Sequence, residues 1–417
     1  MAVPSDQSRI YKPLQTWQTR ILRLHPAASL DKPLHGDVLT AGLAHGQRLA
    51  LSMDSELITF EAISYAWGTW AENELVSMVC NGVEVKITPS LADALQRFRY
   101  GDRARYLWAD ALCIDQGNSD EKSVQVSNTF DIFHKATTVL VWLGRGNADT
   151  TIAMDHICAL PSRSSSPELS LYLQKSTSKG LPPALKYLYT RTWLRRVWVQ
   201  KEVFVANEIV VFCGQNACSF TKYRDFGIAL GEELDVGDRP VLPRVRASLS
   251  VLALINPNSA SDVAQLAERR WIRQQLGGIP VCEPLESLQD NAQLPVAKIR
   301  PGSNTDYDSR RNLLKVLARG NNTNASDSRD FVYALLGLTD SLTRRSSDKP
   351  GDVVNDKISL IIDYTRSVAE VFTDVTRYIM ESTDDLTILS MHRPWAVRGS
   401  PGIPSWVVTW GSNGSFS

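Results

Sequence analysis

Charge imbalance is the first thing missing from this 417-residue sequence: 45 Lys and Arg stand against 45 Asp and Glu, for a formal net charge of +0. A neutral chain has no broad electrostatic attraction to nucleic acid or to an anionic membrane surface, so no nucleic-acid partner is expected. No apolar run approaches the roughly 20 residues that a membrane helix needs, and no membrane span is expected. Met1–Arg9 has no apolar core of the kind a secretory leader carries. These absences point to a cytoplasmic protein. The 6 cysteines (Cys80, Cys113, Cys158, Cys213, Cys218 and Cys282) are scattered, mostly in apolar runs where a reduced thiol acts as a small hydrophobe. The 6 histidines are equally dispersed, and no metal site is expected from either residue type.

Catalytic signatures are scarce too. There is no G-x-S-x-G elbow, no G-x-x-x-x-G-K-[ST] phosphate loop, no G-x-G-x-x-G and no H-E-x-x-H. Nucleophile-elbow hydrolysis, P-loop chemistry, Rossmann-type dinucleotide binding and zincin proteolysis lose their usual sequence support.

What is present is ordinary in bulk, 43% hydrophobic and 22% charged, and unusual in one stretch. Arg105–Asp115 reads R-Y-L-W-A-D-A-L-C-I-D, an apolar, strand-like run with Asp110 and Asp115 set into it. A buried carboxylate is costly unless something pairs with it or uses it; equally, each Asp suits a turn or a helix cap.

Around this stretch the elements alternate. Ile21, Leu22 and Leu24 suggest a short strand, followed by Pro- and Gly-punctuated loop. Thr59–Gly68 reads as a strand that ends at a glycine, and Asn81-Gly82 lies between the two β-rich arms of Val76–Ile87 as in a tight hairpin. Pro89-Ser90 opens a helix, with Ser90 and Asp93 resembling a capping box. Asn118 and Glu121 start another, and Thr137–Gly144 is a further buried strand. Strand, helix, strand, helix, strand predicts an α/β unit with a largely parallel sheet and flanking helices. Ligands of such sheets bind beyond the carboxyl ends of the strands, where Ser64–Gly68, Asp110–Gln116 and Leu143–Arg145 would converge on one crevice.

Pro183–Ala206 reads as helix and Glu208–Gly214 as strand. Beyond them Gly231–Leu294, Phe331–Leu338 and Ser359–Met380 read as helix, with polar stretches between. The expected organisation is a lead-in over 1–57, an α/β domain over 58–215 with a mobile Ser-rich insertion near 161–180, and a mainly helical region over 216–417 that is cut short or ends in a loop.

On the predicted helix Trp198 and Glu202 stand four residues apart and so share a face. A glutamate beside an indole loses solvation, which raises its pKa and makes it a usable acid or base near neutrality. The plainer alternative is a partly buried Glu paired with Arg195 or Arg196. Trp67, Trp108, Trp142 and Trp198 could stack a flat ligand, although core packing is the default for Trp108 and Trp142.

Three blocks, A-I-S-Y-A-W-G (Ala62–Gly68), L-W-A-D-A-L-C-I-D-Q (Leu107–Gln116) and R-R-V-W-V-Q-K-E-V (Arg195–Val203), resemble in order and spacing those of the fungal heterokaryon-incompatibility (HET) domain. The similarity continues through V-L-V-W-L-G and I-V-V-F-C-G. Ser328–Leu338, Asp363–Phe372 and Ile403–Trp410 resemble the segments that commonly follow that domain. Lys201 departs from the glutamine common at its position, and Thr409 from the acidic residue common before the last tryptophan.

The resemblance implies an effector that triggers programmed cell death in non-self recognition when unlike hyphae fuse, activated by self-association or by a protein partner. It also implies distant similarity to the Toll/interleukin-receptor (TIR) fold, hence a TIR- or flavodoxin-like sheet. In some TIR proteins a W-x-x-x-E helix supplies the glutamate that cleaves the glycosidic bond of NAD, and Trp198 and Glu202 match that spacing. By this analogy Glu202 would be the catalytic carboxylate of an NAD or nucleotide glycohydrolase, with Asp110 and Asp115 beside it. Tyr65, Trp67, Gly68, Gln116 and Trp198 would line the ligand site, and no cofactor beyond NAD as substrate is implied. An inactive paralogue is the remaining possibility.

Overall fold

The computed structural model describes residues 10–43, 49–51, 57–159, 183–235, 313–318, 323–338, 360–391 and 403–410, apart from positions 315, 337, 384 and 385. The expected insertion at 161–180, the helical stretch past residue 235 and the polar stretch 343–352 lie outside these residues.

The strands are β1 (Gln18–Leu24), β2 (Leu34–Gly42), β3 (Leu49–Leu51), β4 (Leu57–Ile58), β5 (Glu61–Tyr65), β6 (Val76–Cys80), β7 (Val83–Ile87), β8 (Arg105–Trp108), β9 (Val139–Trp142), β10 (Ile209–Cys213) and β11 (Asn216–Ser219). The helices are α1 (Pro89–Phe98), α2 (Asp110–Cys113), α3 (Ser119–Lys135), α4 (Ala148–Ala159), α5 (Pro183–Tyr189), α6 (Trp198–Val205), α7 (Phe220–Asp235), α8 (Asp330–Leu336) and α9 (Val368–Thr383). All the strands join one sheet in the order β11-β10-β9-β5-β8-β1-β2-β3-β4, and the β6–β7 hairpin hangs on β2.

Four central strands, β10, β9, β5 and β8, run parallel. β9 is buried along its whole length, V-L-V-W, as a strand covered on both faces must be. The sheet as a whole is mixed rather than largely parallel, because β1 pairs antiparallel with both β8 and β2, and β11 antiparallel with β10. Side chains alternate across it. Ala62, Trp108, Val141 and Val211 face a core built with α3, α4 and α6, whereas Ile63, Tyr65, Leu107 and Trp142 face one built with α1 and the hairpin. A third core gathers α8, α9 and residues 403–410 against Val126 of α3 and Val197 at the start of α6.

Several sequence expectations change here. The loop expected after Leu24 contains β2, so the sheet starts inside the supposed lead-in and runs past residue 215 into β11. β2 is pinned by Asn81, whose side chain accepts from Val38 N at 2.6 Å and donates to Val38 O at 3.1 Å. The hairpin forms as expected, with Asn81 at φ 53° and Gly82 at φ 74°, the left-handed values a two-residue turn requires. The cap of α1 is Thr88 rather than Ser90, because Pro89 takes the first helical position and Thr88 Oγ1 accepts from Leu91 N. Asn118 caps α3 as expected.

The strand expected over Arg105–Asp115 stops at Trp108. Asp110 opens the one-turn α2, and Asp115 lies in the turn before α3. The single helix expected over Pro183–Ala206 is α5, a 3-10 turn at Thr192–Arg195, and α6. The last expected helix begins at Val368, not Ser359.

Candidate functional site

β5 delivers two polar groups to its carboxyl end on opposite faces. Ser64 points to the α6 side and Tyr65 to the α1 side, by strand alternation. On the α6 side a hydrogen-bond chain runs inward: Trp193 Nε1 donates to Ser64 Oγ at 2.7 Å, and the Ser64 hydroxyl donates to Glu202 Oε2. Ser64 is 1% exposed and Glu202 7%. Glu202 therefore does sit by an indole system, but the tryptophan is Trp193, not Trp198.

Arg196 closes the top. It stands between the 3-10 turn and α6 in extended backbone, and its Nη1 donates to the carbonyl of Tyr65. Nη1 is 3.8 Å from Glu202 Oε1, and Nη2 is 4.0 Å from Asp110 Oδ2. Asp110 in turn accepts from Trp67 Nε1 at 2.9 and 3.0 Å and from Ala111 N at 2.8 Å. Two carboxyl groups thus share one guanidinium. Burial pushes the pKa of Glu202 up, Arg196 and Ser64 oppose the rise, and the Asp110 charge adds to it. Burial also raises Asp110, against Arg196 and Trp67. Tyr65 is raised well above the ordinary phenol value by burial and by Asp110. Such a cluster makes Glu202 hold its proton more tightly than an ordinary glutamate, the direction a general acid needs. Its outer edge is the Asp110 side chain, 25% exposed; Glu202 itself lies beneath Arg196.

The other expected site residues are placed elsewhere or act locally. Asp115 Oδ1 accepts from Gly117 N at 3.0 Å, and the Asp115 N–H donates to Glu121, which is the turn reading. Gln116 is exposed and donates to the Asp110 carbonyl at 3.0 Å. Gly68, at φ 75°, makes a turn beneath Trp70, whose indole donates to the Trp67 carbonyl. Trp198 packs with the third core and helps hold Asp330, which Tyr364 also hydrogen-bonds at 2.5 Å. Trp108 and Trp142 are core residues. Arg145, expected in the same crevice, pairs with Asp93 of α1 at 2.6 Å on a different cleft.

Sequence reasoning did not single out Trp193. It lies in a 3-10 turn with no periodicity to mark it, and only its distance to Ser64 reveals it. Lys201, at the departing position, is 1% exposed, and burial lowers its pKa to about 7. Its Nζ reaches the Val126 carbonyl at 3.5 Å and lies over the Trp198 ring.

The blocks that build this cluster fall within residues 60–202, which match the sequence profile of the heterokaryon incompatibility protein (HET) family. The likeness to that family thus covers about a third of the chain, the part that holds the cluster. The chain is also 23% identical to heterokaryon incompatibility protein 6, OR allele, of Neurospora crassa, over 94% of its own length and 57% of the relative's. The chain therefore spans little more than half of that HET protein. No solved structure matches it significantly. Among the described residues, no helix is long and apolar enough to cross a membrane.

Proposed function

We propose that this HET-domain chain acts in the cytoplasm as a heterokaryon-incompatibility effector, triggering or regulating programmed cell death in non-self recognition through self-association or a protein partner. The match of residues 60–202 supports the biological role. The geometry around Glu202 favours association over catalysis: the carboxylate is hydrogen-bonded to Ser64 and roofed by Arg196, as in a closed structural cluster. Expression of the full chain in hyphae, scored by dye uptake and colony growth, tests the role, and light scattering over a concentration series tests the association. Cell death with concentration-dependent assembly is the expected pair of results. Healthy growth and a monomer at every concentration would overturn the proposal.

A second reading, an NAD or nucleotide glycohydrolase, is favoured by one specific observation. The parallel strands run β8-β5-β9-β10, with the first in sequence placed second. Flavodoxin-like and TIR-like sheets share that order, and Glu202 meets the carboxyl end of β5. In this reading Glu202 is the catalytic carboxylate, Asp110 its neighbour, and Tyr65 and Trp67 are ligand contacts. Activation would then have to swing Arg196 away. Fold likeness alone is a weak warrant for chemistry, which ranks this reading second.

A further inference from the structure

A second polar site lies on the α1 face of the sheet. There, beyond the carboxyl ends of β9 and β10, a cleft of about 420 Å³ opens between α1 and the loops that follow the two strands. Its size falls in the usual range for small-molecule sites, roughly 300–1,000 Å³, and its position is where open α/β sheets bind ligands. Trp142 lines it and is 3% exposed, yet its indole N–H has no hydrogen-bond partner. The Trp67, Trp108 and Trp193 indoles all donate to a protein acceptor.

Arg97 supplies the charge. It lies over the Phe212 ring and spends one amino group on the Gln215 carbonyl at 3.2 Å, while its Nε is buried without a partner. No carboxylate lies within ion-pair distance of it among the described residues, whereas Arg145 on the facing wall is already paired with Asp93. The rim is built for close approach. Gly144 and Gly214 have φ 104° and 56°, and a Cβ on Gly214 would stand 2.8 Å from Gly146 N. The two loops therefore touch backbone to backbone, and Gly214 N donates to Gly144 O at 3.0 Å.

An Arg97 guanidinium with no carboxylate partner and an unpartnered buried indole N–H, both on side chains that line this glycine-walled cleft, are a donor set that suits phosphate oxygens. We propose that this cleft binds a small phosphorylated molecule of nucleoside monophosphate size, with its phosphate on Arg97 and the Trp142 N–H, at a site separate from the Glu202 cluster.

The test uses the full chain with 15N-labelled tryptophan indoles, the Trp142 signal being assigned through Trp142→Phe. Adenosine monophosphate and inorganic phosphate are titrated separately, to separate a nucleotide from the bare anion. The expected result is a saturable shift of the Trp142 signal with adenosine monophosphate. Arg97→Gln weakens it about tenfold, equivalent to ~1.4 kcal/mol, and Arg97→Lys, which keeps the charge, weakens it less. A shift with inorganic phosphate as well supports the anion contact. No shift with either probe at millimolar concentration would overturn the proposal, as would equal binding by a folded Arg97→Gln chain.

Discussion

Ser64 occupies the middle of the hydrogen-bond chain, accepting from Trp193 and donating to Glu202. Alanine there strands two buried partners at once. Ser64→Ala is expected to lower folding stability by about 1–3 kcal/mol, read as a lower urea midpoint at unchanged slope. Glu202 adds a pH dependence whose sign follows from its raised pKa. A carboxyl that holds its proton more tightly when folded lends stability fully below its unfolded pKa, and loses it as pH rises through the folded one. The stability of wild type relative to Glu202→Gln should therefore fall as pH rises above the ordinary glutamate value of about 4. Denaturation at several pH values measures it, and a flat difference would contradict the buried, protonatable carboxyl. Lys201 has the opposite sign. Its folded pKa of about 7 lies below the unfolded value of 10.5, so burying its charge is most costly at neutral pH and below. Lys201→Met should raise stability at pH 7 by about 1 kcal/mol or more. That gain should shrink as pH approaches the ordinary lysine value.

At the scale of elements, much of what local chemistry decides was legible in the sequence, although the cap of α1 fell on Thr88 rather than Ser90. Asn81-Gly82 specifies the hairpin, Asn118 caps α3, and the uniformly apolar V-L-V-W becomes the fully buried β9. Distant contacts decided the rest. β2, L-H-G-D-V-L-T-A-G, has too little alternation to read as a strand, and the Asn81 side chain forty-three positions on holds it in place. The expected helix over Pro183–Ala206 breaks because Asn324 pairs with the backbone of this stretch. Asn324 O accepts from Val197 N at 3.0 Å, and Asn324 N donates to Arg195 O at 2.5 Å. That break places Arg196 over the end of β5, so the feature the sequence hid most completely is the one that assembles the cluster. Gly214 carries the element-scale prediction. With φ 56° and Gly146 N at 2.8 Å from any added Cβ, Gly214→Ala should cost more than the ~1 kcal/mol of an ordinary positive-φ glycine, visible as a lower thermal midpoint.

For the whole molecule, the C-terminal segments share a core with α3 and the start of α6. Trp198 is the joint: its indole helps hold Asp330, whose pKa burial raises to about 6. Trp198→Ala is expected to loosen the packing of α8 and α9, so that limited proteolysis cuts after residue 313 while the sheet persists. Cleavage no different from wild type would remove Trp198 from that role. The glutamate four residues away faces Ser64 and Arg196 instead, so the W-x-x-x-E spacing joins two separate structural tasks on one helix. The central claim is that the Glu202 cluster is a closed structural core in a protein that works by association. Its most direct test is NAD consumption by the purified full chain, at concentrations high enough for self-association, beside Glu202→Gln. The account predicts no consumption by either. Consumption by wild type that Glu202→Gln abolishes would contradict it and make Glu202 the centre of a glycohydrolase.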